Sequence, residues 1–236
     1  MKKTLALILT LMMLLTAVSA LAVESKGIDD LVSGETKMYE IDPETGEKKE
    51  VEATVGVKKV TLPLDIISAK DKFMAAIREA IAKATEEVEK KAAEAAEPIP
   101  PEELKKMLDE AVNAAILGVI PEKAYTSLQE ATGAVEGLEL TDLTTVSETV
   151  TLQNEGDGSG MTEHTIISVI VKFPTVYADD AKIVALLGVM NDAQTDYADW
   201  LGKPANVVDG GKVEFEISAE DVMEIGSSAY DVYVLE

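Results

Sequence analysis

Between residues 70 and 96, apolar side chains recur every three or four positions, which is the period of an amphipathic α-helix. Most of the other positions are Ala, Glu or Lys. Acid–base pairs four residues apart, such as Glu79 and Lys83, support a helix further. The segment Pro98-Ile99-Pro100-Pro101 is expected to end it. The recurring apolar residues are Phe73, Ile77, Ile81, Ala84, Val88, Ala92 and Ala95.

Two more helical segments are predicted after this proline-rich link. The second helix is expected to begin at Pro101 and to stop at Gly118, with Glu102 and Glu103 near the positive end of its dipole. Because the link is short, the first two helices are expected to form an antiparallel hairpin. A third helix, over residues 122–135, is weakened by Gly133.

From about residue 140 the hydrophobic period changes to two, which is typical of β-strands. Residues 166–173 and 183–189 are apolar at nearly every position, as in strands that are buried on both faces. Residues 212–217 alternate apolar and polar side chains, and Tyr230, Val232 and Val234 indicate a last strand. An earlier strand is indicated by Val146, Val150 and Leu152, which alternate with Ser and Thr.

A β-hairpin is predicted nearer the N-terminus. Met38, Tyr39 and Ile41 lead into Asp42-Pro43-Glu44-Thr45-Gly46, in which proline presets a turn and Gly46 can adopt a positive φ. The return strand is expected over residues 50–57, with an extension to Leu64 as the alternative.

The first twenty-two residues have the pattern of a cleavable secretory signal peptide. Lys2 and Lys3 precede an uncharged, mostly apolar stretch over residues 5–17, and Ala20-Leu21-Ala22 supplies small residues for cleavage before Val23. Cleavage after Ala20 is the alternative. An uncleaved anchor is disfavoured because a membrane span needs about 20 apolar residues. The sequence therefore predicts a secreted protein without a membrane span after cleavage.

These elements predict an α+β protein: a β-hairpin plus helical region over residues 23–137, and an antiparallel β-sandwich over residues 138–236. Ser218-Ala219-Glu220-Asp221, then Gly226 and residues 230–234, resemble the corner and penultimate strand of immunoglobulin-like and fibronectin-like sandwiches. Lys172-Phe173-Pro174, Lys182-Ile183-Val184 and Val213-Glu214-Phe215 are similar to small β modules of secreted clostridial-type surface proteins. The resemblance covers about 40% of the chain. It implies an Ig-like extracellular stalk or binding module, and no site residues.

The amino-acid composition limits the classes of partner that the protein can bind. Removal of Lys2 and Lys3 with the signal peptide takes the net charge from −23 to −25. Such an acidic chain repels nucleic acid and anionic lipid, because both need a positive surface. Arg78 is the single arginine, so the guanidinium groups that usually hold phosphate through two hydrogen bonds are almost absent. The absence of cysteine excludes disulfides, thiolate metal sites and thiol nucleophiles.

Aromatic and acidic residues come together in one segment. Tyr197 and Trp200, with Asp196 and Asp199, are the candidate ligand-binding residues, because an exposed ring stacks on a sugar while carboxylates accept its hydroxyls. In a regular strand, however, Tyr197 and Trp200 would point to opposite faces, so one of them is expected in the core.

No catalytic motif stands out. His164 is the only histidine and comes just before a predicted strand. The loop Gly156-Asp157-Gly158-Ser159-Gly160 matches neither a serine-protease motif, nor a nucleophile elbow, nor a calcium loop. Paired acids such as Asp179-Asp180 are uninformative among 44 acidic residues. No catalytic residue, cofactor or metal ligand is predicted.

The sequence therefore favours a bacterial, secreted, non-catalytic binding or structural protein. Its expected partner is an extracellular protein or glycan, and any association with the envelope is expected to be non-covalent. Two alternatives remain open: a secreted carboxylate-dependent, glycosidase-like hydrolase, and an accessory or inhibitor subunit of an exported enzyme.

Overall fold

The computed structural model describes residues 35–62, 68–95, 97–147, 149–156, 158 and 160–236. Within these ranges the chain combines helices with a nine-stranded antiparallel sheet, so the predicted α+β class is confirmed. The described residues belong to one compact unit. The predicted signal peptide, residues 1–22, lies outside them.

The nine strands form a single sheet with the order β2-β1-β5-β8-β7-β6-β9-β4-β3. Each neighbouring pair is antiparallel. In chain order they are β1 (Glu35–Ile41), β2 (Lys48–Val51), β3 (Gly56–Lys59), β4 (Val150–Glu155), β5 (Thr165–Val171), β6 (Ile183–Met190), β7 (Tyr197–Val208), β8 (Lys212–Ser218) and β9 (Ala229–Leu235).

The sheet curls so that its two ends approach each other. Near the join, the amide of Val57 in β3 donates a hydrogen bond to the hydroxyl oxygen of Thr36 in β1, at 3.2 Å. Because strand side chains alternate between faces, the curl encloses every second residue and forms the first hydrophobic core. Ile167, Leu187 and Phe215 are among the fully buried residues in this inner core.

Three helices cover part of the outer face of the sheet, and a fourth packs against the inner core through Val222 and Ile225. They are α1 (Ala69–Glu94), α2 (Pro101–Val119) and α3 (Glu122–Ala134), followed by a 3-10 turn (Leu140–Asp142) and a short helix α4 (Ala219–Ile225). Ser68 and Ser218 begin α1 and α4 with capping boxes, in which serine and an aspartate three residues later satisfy each other's backbone amides. Helices α1 to α3 pack on β6, β7 and β9 around a second, outer core.

The predicted helical hairpin is confirmed, and only part of it packs on the sheet. On α1, the members of the outer core run from Phe73 to Ile81, and on α2 they begin at Leu108. Farther out, Val88 and Leu104 are buried but belong to neither core. The thirteen remaining residues of α1 correspond to about 20 Å of helix. We call the outer segment, residues 82–107, the distal arm.

Several sequence-based predictions differ from the structure. The return strand predicted over residues 50–57 is broken, because β2 ends at Val51 and β3 begins at Gly56. Residues 219–225, which resemble a sandwich corner, form helix α4. The immunoglobulin-like sandwich is not confirmed, since the described strands form one curled sheet. That sheet also crosses the predicted boundary between residues 137 and 138, because β1 pairs with β5.

Candidate functional site

The aromatic segment singled out from the sequence lies in β7, against α1. The register between β6 and β7 shifts where Val189 faces Asp199 and Met190 faces Tyr197, which leaves Ala198 as the extra residue of a β-bulge. The bulge turns Tyr197 onto the same face as Trp200, with ring centroids 4.4 Å apart. The prediction of opposite faces is therefore wrong.

These two rings form an interlayer aromatic cluster with Phe73 and Tyr233. Phe73 projects from α1 onto the sheet, with its ring centroid 4.9 Å from that of Trp200 and 4.8 Å from that of Tyr233. Trp200 is only 4% exposed. The indole therefore packs in the outer core and presents no face on which a sugar could stack.

The two aspartates predicted beside the rings lie elsewhere. Asp196 is exposed in the turn before β7, and its carboxylate accepts the amide of Tyr197 at 2.9 Å. Asp199 alternates with Trp200 along the strand, and its carboxylate lies 3.7 Å from the ammonium group of Lys123 in α3. The structure thus brings Tyr197 and Trp200 together but does not assemble the four residues into one surface.

Beneath the cluster lies a buried carboxylate that sequence reasoning missed. Asp231 in β9 is 0% exposed. Thr151 of β4 donates a hydrogen bond to Asp231 Oδ1 at 2.6 Å, and the hydroxyl of Tyr197 donates to Oδ2 at 2.5 Å. The hydroxyls of Tyr197 and Tyr233 also form a hydrogen bond with each other. An aspartate inside an otherwise apolar strand was the signal in the sequence.

Burial controls the ionisation of this group. Burial raises the pKa of the Asp231 carboxyl above its usual range, although hydrogen bonds from Thr151 and Tyr197 oppose the shift. Burial and the nearby Asp231 carboxyl also raise the pKa of Tyr197 and of Tyr233, so both phenols stay protonated at physiological pH. The tyrosines act here as hydrogen-bond donors. They link β7 and β9 beneath α1.

A second polar group lies where α4 meets β7. The ammonium group of Lys203 lies 2.6 Å from both oxygens of Asp221, the aspartate of the α4 capping box. Asp221 is 6% exposed, so this ion pair is largely removed from water. Nearby, the pKa of Glu224 is raised, mainly by burial and secondly by a hydrogen bond with Asp199. The Lys203–Asp221 ion pair anchors α4. The raised pKa of Glu224, beside Asp199, favours retention of a proton on Glu224.

The remaining candidates have structural positions. His164 lies in the turn before β5, its carbonyl accepts the Ile41 amide at 2.8 Å, and its Nε2 is 3.5 Å from the carboxylate of Glu163. Asp157 and Ser159 of the glycine-rich loop lie outside the described residues. In the described ranges, no three His, Asp or Glu side chains are grouped closely enough to hold a metal ion. Nor do those ranges include a helix that is long and apolar enough to cross a bilayer.

An open groove runs along the helical hairpin, between α1 and α2. Its volume is about 390 Å³, and its walls carry mainly small side chains. Lys83, Glu87 and Lys91 of α1 follow one another along the groove at four-residue intervals. Because most side chains on the walls are small, another helix can lie close to the backbones of α1 and α2 in this groove.

No protein-family model and no curated protein sequence matches the chain. Among solved structures, the chain is similar to the crystal structure of ZneB from Cupriavidus metallidurans at 12% sequence identity, over 92% of this chain and 78% of that chain. The TM-score is 0.21, so this likeness carries no argument about fold or function.

Proposed function

We propose that this chain is an exported, non-catalytic binding or structural protein of the bacterial extracellular space or envelope. Export rests on the signal-peptide pattern of residues 1–22. The observation that carries the binding role is the distal arm of the α1–α2 hairpin, which extends past the two cores. The arm is the surface through which the protein contacts its partner.

The energetics of short helices support this role for the arm. Helices in water owe most of their stability to the packing of an apolar face. In the distal arm that packing is thin, because its buried hydrophobic residues are Val88 and Leu104. A hairpin that ended near Ile81 and Leu108 would keep the contacts of the outer core. The additional turns therefore serve contact with another molecule.

The partner is an extracellular protein or glycan that tolerates an acidic surface. With a net charge of −25 after signal cleavage, the protein has no electrostatic attraction for nucleic acid or anionic lipid. We expect it free in the medium or held at the envelope by contacts that denaturant releases.

The test compares the mature protein with a variant in which a four-residue glycine–asparagine turn replaces residues 86–107, so that Leu108 of the outer core is kept. Both are mixed with washed bacterial envelopes and sedimented. The mature protein should pellet with the envelopes, and the trimmed variant should stay in solution with an unchanged β-type melt. N-terminal sequencing of secreted material should begin at Val23. Equal pelleting of both proteins would contradict the role of the arm, and no pelleting of the mature protein would contradict a partner in the envelope.

A secreted carboxylate-dependent hydrolase is the second candidate, and the pairing of Glu224 with Asp199 favours it. A carboxyl whose pKa is raised beside a second carboxyl is an arrangement that glycosidases use for a general acid. If this candidate is right, the purified protein releases reducing ends from wall polysaccharide, and Glu224→Gln abolishes the release. We expect no release from either protein.

A further inference from the structure

The groove between α1 and α2 has walls that suit close helix packing. Val88 forms its buried floor, and alanines form its sides: Ala80 and Ala84 from α1, and Ala111, Ala114 and Ala115 from α2. Side chains of this size let a third helix approach at short interaxial distance. The shape alone does not identify that helix.

The charges along α1, in and beside the groove, identify the helix that binds there. Glu79, Lys83, Glu87 and Lys91 alternate in sign at four-residue intervals along α1, and all four are exposed. Within the chain, Lys83 already pairs with Glu79 at 2.6 Å. An alternating series of this kind is complementary to itself when a second identical helix runs in the opposite direction.

We propose that the groove binds α1 of a second copy of this chain, antiparallel and related by a two-fold axis at the height of residue 85. In this register Lys83 faces Glu87 of the second copy, and Glu79 faces Lys91 of the second copy. Each contact occurs twice, as an isologous interface requires. A register shifted by four residues places like charges opposite each other, so the charges also fix the alignment.

The inference rests on the proposed function and deepens it, because it names a second copy as the occupant of a groove that includes part of the distal arm. It is nonetheless tested separately. Envelope sedimentation reports the proposed function, whereas the mass of the purified protein reports self-association, so either can fail without the other.

The experiment is sedimentation equilibrium of the mature protein and of charge variants of α1. The unaltered protein should show twice the chain mass in a concentration-dependent equilibrium. Lys83→Glu and Glu87→Lys each turn two attractive contacts into repulsive ones, and each should weaken association about tenfold. The double variant restores opposite charges across the axis, and its dissociation constant should return to within about threefold of the unaltered value.

Lys105→Glu is the matched control, because Lys105 lies on α2, pairs with Asp109 at 2.5 Å and does not line the groove. It should leave the association constant unchanged, and thermal melts should show that all variants are folded. A monomer at every concentration would overturn the proposal. So would a dimer that is indifferent to Lys83→Glu, or a double variant that remains as weak as the single ones.

Discussion

At Gly202, strand β7 lies close to the backbone of helix α3. The Gly202 amide donates to the hydroxyl of Ser127 in α3 at 2.9 Å. A Cβ atom at this position would lie 2.6 Å from the backbone of Ser127 and Leu128. Since a helix backbone cannot move aside as a side chain can, glycine is needed here for α3 to dock.

Gly202→Ala should therefore lower the free energy of unfolding by about 2 kcal/mol or more, through displacement of α3. Gly118→Ala is the matched control, because nothing lies within 4 Å of a Cβ atom at that helical position. It should be neutral or stabilise by up to about 0.5 kcal/mol. Urea unfolding of both variants measures the difference, and equal effects would contradict the close-approach argument.

Asp231 should make stability depend on pH in a definite direction. Burial raises its pKa in the folded chain above the unfolded value, so the native state retains a proton that the unfolded state loses. Stability from this group is present below the unfolded pKa and is lost as pH rises through the folded pKa. The difference in unfolding free energy between the native protein and Asp231→Asn should thus fall as pH rises from about 4.

Urea titrations at several pH values measure that difference. A difference that grows with pH would show that the hydrogen bonds from Thr151 and Tyr197 outweigh the burial of the carboxyl.

At the scale of elements, the Lys203–Asp221 pair joins α4 to β7. Asp221→Ala removes both the capping box and the partner of a mostly buried ammonium group, and should cost about 2–4 kcal/mol. The double variant Lys203→Met/Asp221→Asn removes the two charges together and should recover more than half of that loss. Thermal or urea unfolding measures both variants. A double variant as unstable as Asp221→Ala would show that the helix cap, rather than the ion pair, dominates.

Element type could be predicted from sequence wherever the hydrophobic period is long and regular. Helix α1 and strand β8 lie where periods of three to four and of two predict them, and strands β5 and β6 lie where continuous apolar runs predict buried strands. Strand β7 was not predicted as an element, because Gly202, Pro204 and the bulge at Ala198 interrupt its alternation. The polar network around Asp231 depends on which strands are neighbours, and a local pattern carries no information about pairing across the sheet.

At the scale of the whole molecule, the described chain is built around one sheet to which both halves of the sequence contribute. Strand β1 covers one edge of β5. Helices α1 to α3 cover Leu186, Trp200 and Tyr233 in the outer core. Residues 138–236 by themselves would expose that apolar surface and an unpaired strand edge.

We therefore expect a fragment of residues 138–236 to be unfolded or aggregated, and the mature chain to melt in a single transition. This expectation replaces the division between residues 137 and 138 that the change of hydrophobic period suggests. Circular dichroism and analytical centrifugation of the fragment provide the measurement. A soluble fragment with a cooperative β-type melt would show that the sheet tolerates the loss of β1 and the helices.

The position of β9 has a consequence for the stage of synthesis at which the fold can form. Although β9 is the last strand along the described chain, it lies between β6 and β4, well inside the sheet. The inner and outer cores both need its side chains, so neither can close until this segment has been delivered. Because synthesis runs from the N-terminus, the sheet cannot be completed until residues 229–235 have left the ribosome.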